Sequence, residues 1–324
     1  MTATKDVRKP RREAGIDWLK CLFIVLMVVF HLAYIGDKYP YAKEIVYTFH
    51  MSGFLLITGF LAKTDYGEGG TPKFLRTLGW LFLPYAVLEA MYVGASSVLP
   101  VRGGVDELSL GVVADKVLLH PIGPYWYIHT MIVCYAVNYF VAKVLPRRIG
   151  TVAFGAVVGT ALYALDAVVG ILSFGNAIYF MGGLVVRRSG LRFADVFRPS
   201  LVAAVPLVIL CSFESNLDRA TLGGVAITYL VSAVALSLMR FATQPLRRGA
   251  FYIGANTLPI LLFSPLFTMA AKPLVGVFAF DQTGLVFLVV ATALAVVGSL
   301  AIAYAMDRLR LSPLFCGRNL LRSV

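Results

Sequence analysis

Charge is what this chain has least of. Asp, Glu, Lys and Arg make up only 14% of its 324 residues, against roughly 25% in soluble domains. With 59% of residues hydrophobic, that shortage excludes a soluble globular protein. The length leaves no room for a large soluble domain beside a membrane part. Cysteine is scarce as well. Cys21, Cys134, Cys211 and Cys316 stand at no metal-binding spacing and three lie in apolar runs, so they read as buried free thiols. There is no metal-ligand set, no G-x-S-x-G and no P-loop, which sets aside a zinc site, a serine-hydrolase elbow and a nucleotide-phosphate loop. No internal repeat or pair of inverted halves with matching broken helices is present, which weakens a transporter reading.

The net charge of +12 invites a nucleic-acid partner. The basic residues argue against one, because they fall in short clusters between apolar runs and form no basic face. Membrane topology accounts for them better. Apolar stretches at about 16–36, 44–62, 74–95, 125–145, 150–169, 171–187, 199–213, 221–240, 250–271 and 283–306 predict about ten spanning helices. Residues 105–119 read as a short amphipathic helix between the third and fourth. Counting Lys and Arg in alternate loops places 22 on one side and 6 on the other, with Lys20 inside the first span. Such a split predicts both termini in the cytoplasm. Residues 1–15 then form a basic cytoplasmic tail, 16–310 the transmembrane domain and 311–324 a short cytoplasmic tail. No A-x-A site follows the first apolar run, which reads as an uncleaved first helix. The fold class is therefore all-α, a polytopic transmembrane helix bundle.

The chain is organised around its first span, IDWLKCLFIVLMVVFHL at 16–32. At about 100° per residue, Lys20 and His31 differ by only about 20° in azimuth and stand roughly 16 Å apart along the axis. Asp17 lies about 60° from Lys20 on the same side. A polar stripe on a greasy helix belongs inside a bundle. His31, in the outer half, has the pKa range of a general base for a hydroxyl; the alternative is a packing histidine bonded to a backbone carbonyl. Lys20, near the cytoplasmic end, suits a phosphate group from the cytosol; the alternative is a snorkelling lysine.

Other groups join these two. His50 lies in the second span, which begins near Glu44, so it is about 9 Å below the outer edge and close to the depth of His31. The two histidines could line one pocket, or His50 could serve only helix packing. Glu89, in the outer half of the third span, needs a partner at that depth. It could orient His31 or pair with a structural group. Trp126, in the run Pro124 to Tyr127, opens the fourth span. It belongs to an interfacial aromatic belt or to a sugar-stacking platform. Arg76 and Lys73 put positive charge at the cytoplasmic mouth, a topology signal or a donor contact.

These residues carry a resemblance. IDWLKCLFIVLMVVFH resembles the opening signature of the integral-membrane acyltransferase 3 family: Asp, a basic residue, ten positions, then His. The basic residue is usually Arg and is Lys20 here, as in the fucose 4-O-acetylase-like group. FHMSGFLLITGF at 49–60, FLRTLGWLFLPY at 74–85, Trp126-Tyr127, YFMGGLVVRR at 179–188 and GANTLPILLFSP at 254–265 resemble further segments in order. In the last, Ser264 stands where the family usually has histidine. The resemblance implies about ten helices, no permanently bound cofactor, acetyl-CoA or another acyl-CoA as donor, and acyl transfer to a hydroxyl, usually of a glycan. It implies His31 as catalytic histidine and Lys20 as a donor-site residue. The expected protein is a membrane O-acyltransferase of the plasma or inner membrane. Catalysis falls to His31 and Glu89, donor binding to Lys20 and Arg76, and support to Asp17, His50 and Trp126. The rival from another class is a transporter or flippase for a lipid-linked sugar or small solute.

Overall fold

The structure is a computed structural model that describes residues 13–67, 70–98, 104–146 and 148–323. The basic tail at 1–12, with Arg102 and Arg147, lies outside them. The described residues contain sixteen α-helices and no strand. In chain order these are α1 Ala14–His31, α2 Ala33–Lys38, α3 Pro40–Leu61, α4 Gly70–Ser96, α5 Leu110–Leu118, α6 Trp126–Val144, α7 Thr151–Val169 and α8 Phe174–Arg188. They continue as α9 Phe193–Val196, α10 Ala204–Cys211, α11 Leu222–Leu238, α12 Gln244–Ala255, α13 Thr257–Ala270, α14 Leu274–Val277, α15 Leu285–Arg308 and α16 Ser312–Cys316.

Among the described residues, five helices are long and apolar enough to cross a membrane: α1, α3, α4, α7 and α15. A helix stands at each of the ten expected stretches, but α6, α8, α10 and α11 are shorter or less apolar than those five. The expected span 250–271 is not one rod. It is α12 and α13, bent by 85° at Asn256. Proline explains the position of the break. Pro259 has no N–H to give and is best accommodated in a first turn, and the break places it in the first turn of α13. The expected span 16–36 is also broken. Leu32 adopts an extended conformation, φ −71° and ψ 101°, between α1 and α2.

Helix α1 sits at the centre and packs against α3, α11, α12, α13 and α15. Its hub position follows from its sequence, since Leu19, Phe23, Ile24, Met27 and Val28 are all buried. Two crossings bring backbones into direct contact. A Cβ at Gly254 of α12 would overlap the Asp17 carbonyl of α1. Gly59 of α3 and Gly183 of α8 form a reciprocal pair, a Cβ on either overlapping the other helix's backbone. Small residues permit such close approach in membrane bundles.

The last residues do not trail away. Asp307 accepts the backbone N–H of Leu320 and of Leu321, each at 2.9 Å. Cys316 and Leu320 are buried. The segment expected to be a short cytoplasmic tail is part of the bundle, because its apolar residues have a wall to cover. The Asn256 side chain holds Arg322, and its neighbour Gly254 touches Asp17. The start of α1 and the end of the described chain therefore share one end of the bundle.

Candidate active site

His31 is the last residue of α1, just before the chain kinks at Leu32. Its Nδ1 donates to the Met27 carbonyl at 2.7 Å. A carbonyl only accepts, so Nδ1 carries the proton and a neutral ring keeps its lone pair on Nε2. His50 repeats the device on α3, Nδ1 donating to the Val46 carbonyl at 2.6 Å. Its Nε2 is buried without a hydrogen-bond partner. The Tyr47 ring stands between them, 6.3 Å from the His31 ring and 5.2 Å from the His50 ring, centroid to centroid. Both imidazoles line a cavity of about 400 Å³ together with Trp126, Pro124, Asn176 and Arg219. The carbonyl bond expected of a mere packing histidine is thus present in both rings, yet it fixes the tautomer and leaves Nε2 of each ring without a proton when the ring is neutral.

Arg219 reaches this cavity from the loop before α11. Its Nη1 donates to Asn176 Oδ1 at 3.0 Å, and its carbonyl accepts the Tyr179 hydroxyl at 2.7 Å. Burial pulls its guanidinium below the ordinary value, while Tyr179 and Asp218 act in the opposite sense. An arginine remains charged under such a shift. The sequence shows Arg219 only as one loop charge among many, and Asn176 carries no sequence signal at all. Folding alone brings them to His31.

Lys20 lies at the other end of α1. Its Nζ is 3.7 Å from Asp17 Oδ1. It lines a second cavity of about 230 Å³, together with Thr58, Tyr127, Arg318 and Arg322. Met51 and Leu261 belong to the walls of both this cavity and the His31 cavity. A third cavity, about 580 Å³, adjoins the Lys20 cavity through Leu61, Leu81 and Arg318 and is bounded by Lys63 and Lys73. The His31 and Lys20 cavities thus follow one another along α1, and the third continues beyond the Lys20 cavity away from that helix. Cys316 faces both Lys20-side cavities, and burial pushes its thiol up to about 11. It is a protonated wall residue there, not a thiolate.

Two expected residues stand elsewhere. Glu89 does not line the His31 cavity. It is fully buried and accepts the Ile122 N–H at 2.6 Å. That amide leads straight into the 3₁₀ turn Gly123–Tyr125 and Trp126. Among the described residues no bond joins Glu89 to His31, whose Nδ1 is taken by Met27. Arg76 is exposed on α4 and lines none of these cavities. One turn of helix separates it from Lys73, which does. Arg318 and Arg322 occupy the place expected for Arg76, because the C-terminal segment folds back. All four cysteines are free, and no three His, Cys, Asp or Glu residues cluster as a metal site among the described residues.

A family model described as an acyltransferase domain matches residues 13–304. The chain belongs to the acyltransferase 3 family. Comparison with curated proteins and comparison with solved structures each give no significant match. The matched stretch runs from the start of α1 nearly to the end of α15, so it contains the helices around the His31 cavity and leaves out α16 and the segment with Arg318 and Arg322 that line the other two. A membrane acyltransferase with several spanning helices is what the apolar helices and the family together support.

Proposed function

We propose that this acyltransferase takes its acyl group from a cytosolic acyl-CoA, most simply acetyl-CoA, and passes it to a hydroxyl of a glycan or glycan precursor. One observation carries the reading. Along the same edge of α1, a cavity with Lys20 and two arginines abuts a cavity where His31 presents an unprotonated Nε2. Lys20 and its neighbours hold the donor's phosphates. The pantetheine arm passes between Met51 and Leu261 and delivers the thioester to His31. Methionine is the residue best able to swing aside there.

The acceptor hydroxyl attacks the thioester carbonyl. His31 Nε2 takes its proton, the carbon–sulfur bond breaks, and the imidazolium returns that proton to the departing thiolate. His50 Nε2 accepts from a second hydroxyl of the acceptor, and Trp126 offers its face to a sugar ring. Glu89 acts at one remove by holding the 122–126 turn that carries Pro124 and Trp126. Asp17 orients Lys20. The 22-to-6 charge asymmetry supports both termini in the cytoplasm, about ten spans, and a plasma or inner membrane. The sequence pattern, with Lys20 as the basic residue of the opening signature, supports the fucose 4-O-acetylase-like group.

The test is direct. Purified full-length protein with labelled acetyl-CoA and a carbohydrate acceptor yields labelled acyl-glycan and free coenzyme A in equal amounts. A transporter or flippase yields neither, and that result would end the reading. Surface glycans from cells with and without the gene, compared by mass spectrometry, identify the acceptor. Lys20→Ala is expected to raise the donor KM about tenfold or more, the worth of a charge-assisted hydrogen bond, and to leave the acceptor KM near its starting value. Equal rises in both would return Lys20 to a structural role.

A further inference from the structure

The residues after α15 turn back and are fastened at two points. Asp307 receives two consecutive backbone N–H groups, and Asn256 grips Arg322 from both sides. Its Oδ1 accepts the Arg322 N–H at 2.7 Å and its Nδ2 donates to the Arg322 carbonyl at 3.2 Å. Between these points and α16, Gly317 turns the chain at φ 69°, with Trp80 filling the space a Cβ would need. Backbone fastening of this kind fixes the path of a segment and with it the place of its side chains. Two of those side chains are the guanidiniums of Arg318 and Arg322, and both line the Lys20 cavity. Arg318 makes no ion pair among the described residues. It also borders the larger cavity, where Lys63 and Lys73 add charge and Tyr66, Phe74 and Trp80 supply aromatic faces. Asp65 is the acid on that wall and Asp17 the one beside Lys20, so cations outnumber acids around the pair of cavities.

We propose that this C-terminal return is a phosphate clamp, in which Arg318 and Arg322 act with Lys20 on the diphosphate and ribose phosphate of the acyl-CoA donor. The inference rests on the acyl-CoA reading above and assigns the residues that hold the nucleotide half. Arginine forks match phosphate oxygens in pairs. Four hydrogen bonds from Asn256 and Asp307 to the segment's backbone hold both guanidiniums at the cavity and reduce the ordering that binding must supply. The adenine ring lies against the aromatic wall of the larger cavity, and the pantetheine arm enters the smaller one.

The test compares coenzyme A with S-acetylpantetheine, which lacks the nucleotide and its phosphates. Binding is measured by calorimetry on the full chain in nanodiscs. Arg318→Gln and Arg322→Gln are each expected to weaken coenzyme A about tenfold or more and to leave S-acetylpantetheine within twofold. The pantetheine arm also reports whether each variant is folded. Running the series in phosphatidylcholine discs with and without phosphatidylglycerol separates the two sources of phosphate. If the arginines serve lipid headgroups, the substitutions change the melting temperature only in phosphatidylglycerol and leave coenzyme A binding as it was. That outcome overturns the clamp, and so does parallel weakening of both ligands. If wild-type protein binds coenzyme A while both variants bind it equally well, the clamp alone falls. If wild-type protein binds neither ligand, the acyl-CoA reading falls with it.

Discussion

His31→Ala is expected to lower acyl transfer by about a thousandfold, within the range a positioned general base contributes, while insertion, abundance and coenzyme A binding stay as they were. The expectation follows from the two ends of one imidazole. Nδ1–H is committed to Met27, so the ring has a fixed tautomer and orientation. His31 lines the cavity with Nε2 left for an acceptor hydroxyl, whereas Asp218, the carboxylate on the same wall, already accepts the Ala220 N–H at 2.9 Å. His50 is the nearest substitute, but its ring is buried at 2% exposure behind Tyr47. Activity in His31→Ala close to that of the parent would remove the general-base assignment, whatever the donor proves to be. The assay is turnover of labelled acetyl-CoA, with size-exclusion profiles run in parallel to show that the variant is intact.

The second large effect concerns the scaffold. Gly183→Leu should abolish recovery of monodisperse protein, and Gly59→Leu should do the same. Helices α3 and α8 touch backbone to backbone at this pair. A Cβ at Gly183 overlaps the Leu56 carbonyl and the Phe60 amide, and one at Gly59 overlaps the Phe180 carbonyl and the Leu184 amide. Overpacking against movable side chains already costs about 1–3 kcal/mol. Here the obstacle is main chain, so the helices must part along a face that buries Leu55, Leu56 and Phe60. The cost then becomes a large share of the ~5–15 kcal/mol that holds a typical domain together. Gly79→Ala and Gly94→Ala in α4 are the controls. Nothing lies near a Cβ at either, so each is expected to be neutral or to stabilise by up to about 1 kcal/mol through helix propensity. Thermal melting in detergent ranks the four. Survival of Gly183→Leu with a normal melting temperature would show that α3 and α8 are not in this contact. The site depends on the same contact, since α3 carries His50 and Tyr47 while α8 carries Asn176 and Tyr179, the two partners of Arg219.

Periodicity made Lys20, His31 and Asp17 legible, because a helix converts spacing into a shared face and α1 is a regular helix over that whole interval. The depth match of His31 and His50 was legible for a related reason: a short connection between two antiparallel helices leaves little freedom in their relative height. Glu89 shows where such reasoning stops. Its depth in α4 could be counted, but the neighbour it meets is an amide of the 119–122 connection, thirty-three positions along the chain. Arg76, earlier in the same helix, stands outside the three cavities for the same reason, since facing a cavity or facing outward is decided by the helix's rotation against partners that no spacing reveals.

The sequence by itself determined an all-helical membrane protein, the face of α1 that turns inward, and the paired heights of His31 and His50. Hydropathy and helical period are local properties, and a bilayer enforces both. Only the tertiary structure decided that Arg219 and Asn176 stand beside His31, that α12 and α13 break apart at Asn256, and that Arg318 and Arg322 return to Lys20. Those facts depend on which distant backbones come within bonding distance. Asn256 and Asp307 settle the last of them with four hydrogen bonds to a segment that composition alone reads as a free tail.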